Sequence, residues 1–315
     1  MALRFGVYVP TTGPLATAQA LRDVTRHAES LGYDSVWTGD HIVYPSKIDF
    51  SRYGYGEFPV DSDVTSPFYE PVATMAYLAG VTTTIGLAIG VLIAPYRNAV
   101  VLGKQLASLD NLSGGRFLLG VGVGWMAEEF EALGLAPNAF EERGRVTDET
   151  IDVMRALWAR GPSSFQGRHY RFEGVGAFPK PARPQGIPIW IGGNSAPALR
   201  RVVRAGDGWQ GLGLDAEQFR QKRVLLDEMT EAAGRRPGEV TKAAALGVIQ
   251  TPAGAPTPAA PSGRLLVGDA AALAGQVDAY AQGGAQLVTL NFPAQSADEL
   301  RRCLDDFREV IVRLG

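Results

Sequence analysis

The chain has 315 residues, 46% hydrophobic and 20% charged, with a formal net charge of −3, so it can bury a large core and offers no basic stripe to a nucleic acid. Cys303 is the only cysteine, which excludes an internal disulfide framework and fits a reducing cytoplasm. No apolar run approaches the length of a membrane span, and the opening MALRFGVYVP enters a strand-like run without the basic-then-apolar pattern of a signal peptide, so neither a membrane partner nor secretion is expected.

Taken in chain order, strand and helix patterns alternate. Residues 3–10 (LRFGVYVP) predict a buried strand, and residues 15–32 a helix that stops at Gly32. A second strand follows at 33–40 (YDSVWTGD). After a long aromatic insertion at 42–68 come a helix at 69–80 and an apolar strand at 83–93 (TTIGLAIGVLI). Residues 98–115 predict a helix ending at Gly114 and Gly115, and 116–124 (RFLLGVGVG) the fourth strand. A helix at 147–161 takes Thr147 as its N-cap. Residues 161–186 predict a hairpin and a proline-rich approach to strand five, 187–193 (IPIWIGG). Helices at 195–206, 215–234, 269–284 and 297–314 then alternate with strands at 207–213, 241–251 and 285–293. Residues 252–264 (PAGAPTPAAPSGR) are low in complexity and predict a loop, either a lid or slack chain.

Eight strand–helix units argue for parallel strands with helical crossovers, and so for a single α/β domain, a (β/α)8 barrel over 1–315 with insertions after strand two and before strand five. An open doubly wound sheet is the competing architecture. AESLGYDSVWTGD, VVRAGDGWQGLG and AYAQGGAQLVTL share one pattern: a helix ends at glycine, a small or polar residue turns the chain, and an apolar strand follows. The insertions after strands two and seven fall on the C-terminal rim, where barrel active sites form.

Four stretches carry the candidate chemistry. The glycines of RFLLGVGVGW miss the dinucleotide fingerprint in both spacing and place, since Trp125 stands where spacing would need glycine. They either let a strand end pack closely or leave room for a flat ligand. His41 follows Asp40 at the end of strand two; it serves as a general acid or base, or bonds a neighbouring loop. His27 and His169 fall in a helix and in the hairpin, which argues against a metal cluster. Gly192, Gly193, Asn194 and Ser195 end a strand and open a helix, a backbone cradle for phosphate or a plain N-cap. Gly90 and Val91 interrupt an apolar strand, the mark of a bulge or a close backbone approach.

Nearly the whole chain resembles the luciferase-like monooxygenase superfamily, and most closely its branch of oxidoreductases that use the deazaflavin coenzyme F420. The resemblance rests on AESLGYDSVWTGDH, IGLAIGVLIAPYRNAVVLGKQLASLDNLSGGRFLLGVGVGW, EERGRVTDET, PIWIGGNSAPALRR and AGDGW. It implies that Asp40 bonds the ring system and that His41 exchanges the proton during hydride transfer. It further implies a cis Gly90–Val91 peptide behind the ring, cofactor-lining backbone at Val123 and Gly124, and a phosphate site at Gly192–Ser195. The sugar-phosphate dehydrogenases of that branch carry glutamate where this chain has Trp125, which points to a more apolar small-molecule substrate; Glu128 is the nearby acid. A homodimer is implied as well. The alternatives are an FMN-dependent monooxygenase fed by a partner reductase, and a non-catalytic cofactor-binding barrel.

Overall fold

The computed structural model describes residues 2–54, 64–254 and 265–314. Its strands are β1 (Arg4–Tyr8), β2 (Ser35–Thr38), β3 (Gly86–Ile93), β4 (Phe117–Gly122), β5 (Ser163–Gln166), β6 (Arg171–Val175), β7 (Ile189–Gly192), β8 (Gly208–Leu212), β9 (Thr241–Gln250), β10 (Leu265–Gly268) and β11 (Leu287–Asn291). Its helices are α1 (Ala18–Ser30), α2 (Pro71–Val81), α3 (Ala99–Leu112), α4 (Ala127–Ala132), α5 (Ala139–Trp158), α6 (Ala196–Ala205), α7 (Ala216–Ala232), α8 (Ala270–Gln282) and α9 (Ala297–Leu314).

Parallel pairing runs β1, β2, β3, β4, β7, β8, β9, β11 and back to β1. The β8–β9 register, Gly208 opposite Thr241 through Leu212 opposite Ala245, closes the ring and rules out the open sheet. Strands buried on both faces explain the near-continuous apolar runs of β3 and β4. Tyr8, Trp37, Ala88, Leu118, Trp190, Ala243 and Leu287 cluster inside the barrel, while the larger core lies between strands and helices. Gly208 has no alternative there, because a Cβ would meet the Trp190 indole at 2.6 Å. Polar caps start the helices: Thr17 accepts from Ala20 N, Asn98 from Val100 N and Val101 N, and Asp215 forms a capping box with Gln218.

Three elements depart from the sequence reading. Thr147 is not an N-cap; it lies buried inside α5, which starts at Ala139, and its hydroxyl donates to Arg143 O at 2.8 Å. A threonine can satisfy its hydroxyl on the preceding turn, so it tolerates a helix interior that its type alone does not announce. The six-residue α4 was not anticipated, nor was β10, which pairs only with the outer half of β9. The hairpin is present as β5 and β6. Of the two rim segments, 55–63 and 255–264 lie outside the described residues. No described helix is long and apolar enough to cross a membrane.

Candidate active site

The C-terminal ends of β2, β3, β4 and β7 supply the candidate residues. Asp40 is buried and accepts from Ile93 N at 2.7 Å, Arg97 Nη1 at 2.6 Å and Arg97 Nη2 at 2.9 Å. Arg97 also bonds Glu70, which caps α2. Burial drives the Asp40 carboxyl above its ordinary value, against the pull of Arg97. Both carboxylate oxygens accept within the protein and tie Asp40 to the end of β3 and to Arg97.

His41 points elsewhere. Its Nδ1 lies 2.7 Å from Glu129 Oε2, on α4. The Glu129 side chain is fully buried and also accepts from Tyr96 Oη at 2.8 Å, Ile42 N at 2.6 Å and Val43 N at 3.3 Å. Burial works to raise the Glu129 carboxyl, but the bonds from His41, Ile42 and Tyr96 outweigh it and hold it below the ordinary range. An ionised carboxylate only accepts, so Nδ1 is the donor in this bond. Tyr44 and Phe68 flank the His41 ring at 5.1 Å and 5.5 Å between centroids. Sequence reasoning weighed Glu128 and missed Glu129. Glu128 Oε1 instead accepts from Asp49 N and Arg52 Nη1, both at 3.3 Å, and so ties down the start of the insertion.

On β3 the register against β4 slips between Ile89 and Leu92, and the Gly90–Val91 peptide is cis. The bulge explains the glycines around it. A Cβ on Gly122 or on Gly192 would fall on a methyl of Val91, and one on Gly120 on the carbonyl oxygen of Ile89. Gly120, Gly122 and Gly192 therefore make room for the bulged strand, which for Gly120 and Gly122 is the close-packing alternative of the RFLLGVGVGW reading. Gly124 differs: its φ is +83°, and its carbonyl accepts from Arg143 Nε at 3.1 Å. Val123, beside it, is half-buried.

At the end of β7, Gly193 has φ +114° and the Asn194 amide bonds both the N–H and the carbonyl of Leu212. Ser195 Oγ accepts from Ala198 N and caps α6. Among the described residues the N–H groups of Asn194, Ser195 and Ala196 have no acceptor. Arg201 pairs with Asp148 and turns away from them. On the rim, Trp125 lies 5.2 Å from the Tyr53 ring and 6.1 Å from Phe50. His27 bonds Asp305 between α1 and α9, and His169 sits in the β5–β6 turn.

A family model of luciferase-like monooxygenases matches residues 3–255. The chain is 34% identical over 228 residues to an uncharacterised Mycobacterium tuberculosis protein, covering 69% of this chain and 76% of that one. It is 27% identical over 226 residues to an F420-dependent glucose-6-phosphate dehydrogenase of Kineococcus radiotolerans, covering 70% and 61%. Among solved structures, an F420-dependent secondary alcohol dehydrogenase with an F420–acetone adduct superposes with a TM-score of 0.80 at 17% identity, covering 100% of both chains. A riboflavin lyase with modified FMN and riboflavin superposes with a TM-score of 0.83 at 16% identity, covering 99% of this chain and 92% of that one. Those likenesses carry the fold, and the family model carries the assignment: the chain belongs to the luciferase-like monooxygenase family.

Proposed function

We propose that the protein is an F420-dependent oxidoreductase that moves a hydride between the deazaflavin and a small organic substrate, with His41 as the proton donor or acceptor. The observation that carries this reading is the pairing of His41 with the buried Glu129 carboxylate at the barrel mouth, on the rim that also holds the β3 bulge. The residues present suit a phosphate-bearing cofactor. The N–H groups of Asn194, Ser195 and Ala196, which find no acceptor among the described residues, form a donor set at a helix N-terminus, where an anion is favoured. Val91, Val123 and Gly124 would line the ring, and Gly193, Asn194 and Ser195 would hold the phosphate. When bound, the deazaflavin supplies two-electron hydride chemistry.

The chain's own residues do the rest. Glu129 fixes the His41 ring and keeps its Nδ1 protonated, so that Nε2 can hold or release the proton that accompanies hydride transfer. Asp40 and Arg97 brace the strand end behind it. Trp125, Phe50 and Tyr53 favour an apolar or aromatic substrate over a sugar phosphate. A cytoplasmic homodimer completes the proposal; α2 (PVATMAYLAGV) carries no charge yet exposes Tyr77, which suits a covered face.

Equilibrium binding separates the cofactors. Purified protein titrated with oxidised F420, and separately with FMN, should bind F420 at least about tenfold more tightly, as read by cofactor fluorescence. Tight FMN binding without F420 affinity overturns the reading and favours the reductase-fed monooxygenase.

A further inference from the structure

Inside the barrel, against the bulge, lies a polar chain that the proposed chemistry does not use. Tyr8, the last residue of β1, donates its hydroxyl to Gly90 O at 2.9 Å. Gln210 Nε2, from β8, donates to Tyr8 Oη at 3.2 Å and reaches Thr289 Oγ1, on β11, at 3.4 Å. Gln210 and Thr289 are 1% and 0% exposed. Three strands thus converge on one carbonyl of a fourth. Burial pushes the Tyr8 phenol up to about 12, so it remains a donor through the neutral range.

The same group closes on Gly90 from the interior. A Cβ there would stand 2.5 Å from Trp37 Cε3 and 2.9 Å from Gln210 Oε1. On the neighbouring residue, the Val91 methyls occupy the gaps left by Gly122 and Gly192. The bulge is therefore held in two ways, by the Val91 wedge and by the Tyr8 hydrogen bond. Only the second is a directed bond that one atom can remove.

We infer that Tyr8 is a positioning residue: oriented by Gln210 and Thr289, its hydroxyl tethers Gly90 O and fixes the shape of the Gly90–Val91 bulge that supports the cofactor. The functional half of this inference rests on the proposed F420 chemistry; the tether does not.

Tyr8→Phe keeps the ring and deletes the hydroxyl, so barrel packing and tethering can be told apart. Val7→Ala, on the outward face of the same strand, serves as a purely structural comparison, because Val7 is fully buried in the helix-facing core. Hydrogen–deuterium exchange of the 86–93 segment is followed without cofactor, and F420 affinity by fluorescence. In Tyr8→Phe the segment should exchange about tenfold faster and the F420 Kd should rise about tenfold, the size expected for one lost hydrogen bond. Val7→Ala should lower the unfolding midpoint while leaving F420 affinity unchanged. Unchanged exchange at 86–93 in Tyr8→Phe overturns the tether. Faster exchange with an unchanged F420 Kd overturns the positioning role. Wild-type protein that binds no F420 overturns the proposed function, and the exchange data then decide the tether alone.

Discussion

Glu129 accepts four hydrogen bonds in a position closed to solvent, and that environment commits it to being an anion. Glu129→Gln turns one oxygen into a donor. With the new NH2 toward Ile42 and Val43 it meets two backbone N–H donors, at a cost of about 1–3 kcal/mol; toward His41 and Tyr96 it is accepted only if Nδ1 gives up its proton or the Tyr96 hydroxyl turns. The anion that holds the proton on His41 Nδ1 is also lost. Long-range proton–nitrogen NMR of the His41 ring should show Nδ1 protonated in the wild type, and a fraction with Nδ1 unprotonated in Glu129→Gln. Turnover should fall by about a hundredfold, while F420 affinity moves by less than about threefold. An unchanged ring spectrum would remove Glu129 from the mechanism. His41 was legible because a histidine at a barrel strand's C-terminal end has few structural reasons to be there. Glu129 was not, because Glu128 and Glu129 are identical letters and only the rotation of the short α4 decides which one faces the barrel.

At the scale of elements, the bulge on β3 and the glycines of β4 and β7 form one packing unit. The glycines marked this region in the sequence, but a missing side chain does not say what fills the space. Here Val91 fills the space beside Gly122 and Gly192. That assignment predicts coupling. Gly192→Ala places a methyl on Val91 Cγ1, with the next nearest atom, Val91 Cβ, at 3.6 Å. Overpacking should cost about 1–3 kcal/mol by urea unfolding, and most of that cost should vanish in a Val91→Ala background. Additive effects would mean that Gly192 is required for another reason. The helix starts were less legible than the strands. EERGRV continues α5 through the turn before Thr147, and the cap residue Asn138 makes no side-chain bond that a capping pattern would reveal.

The whole barrel divides its labour between its two ends, and the recurrent helix–glycine–strand pattern of the sequence turns out to build the lower one. The residue just before β2, β8 and β11 is Asp34, Asp207 and Gln286. Each side chain accepts from the first residues of the neighbouring strand, namely Phe5 N at 2.7 Å, Ile189 N at 2.8 Å and Lys242 N at 3.0 Å. Each backbone N–H is returned to the carbonyl of that same residue, at 2.7–2.8 Å. Strand starts that would otherwise expose bare amides are thus clamped in pairs. The pattern was visible as turn punctuation, whereas the reciprocal bonds needed strand register to appear. Glu29 does the same work for the approach to β3, accepting from Thr83 N, Thr84 N and Ile85 N at 2.8, 2.6 and 3.0 Å. Partial burial opposes its charge, but these amides prevail and hold its carboxyl near a pKa of about 2, against an ordinary 4.5. A depressed carboxylate stabilises the fold above its unfolded pKa and loses that contribution as pH falls toward its folded one. Glu29→Gln should therefore cost about 2 kcal/mol at neutral pH, after allowance for solvent screening, and the gap to the wild type should shrink by more than half by about pH 3. Urea unfolding at the two pH values measures both. F420 affinity should stay unchanged, since in a barrel of this kind the lower end carries stability and the upper end chemistry. A gap independent of pH would mean that Glu29 acts through packing rather than through its charge.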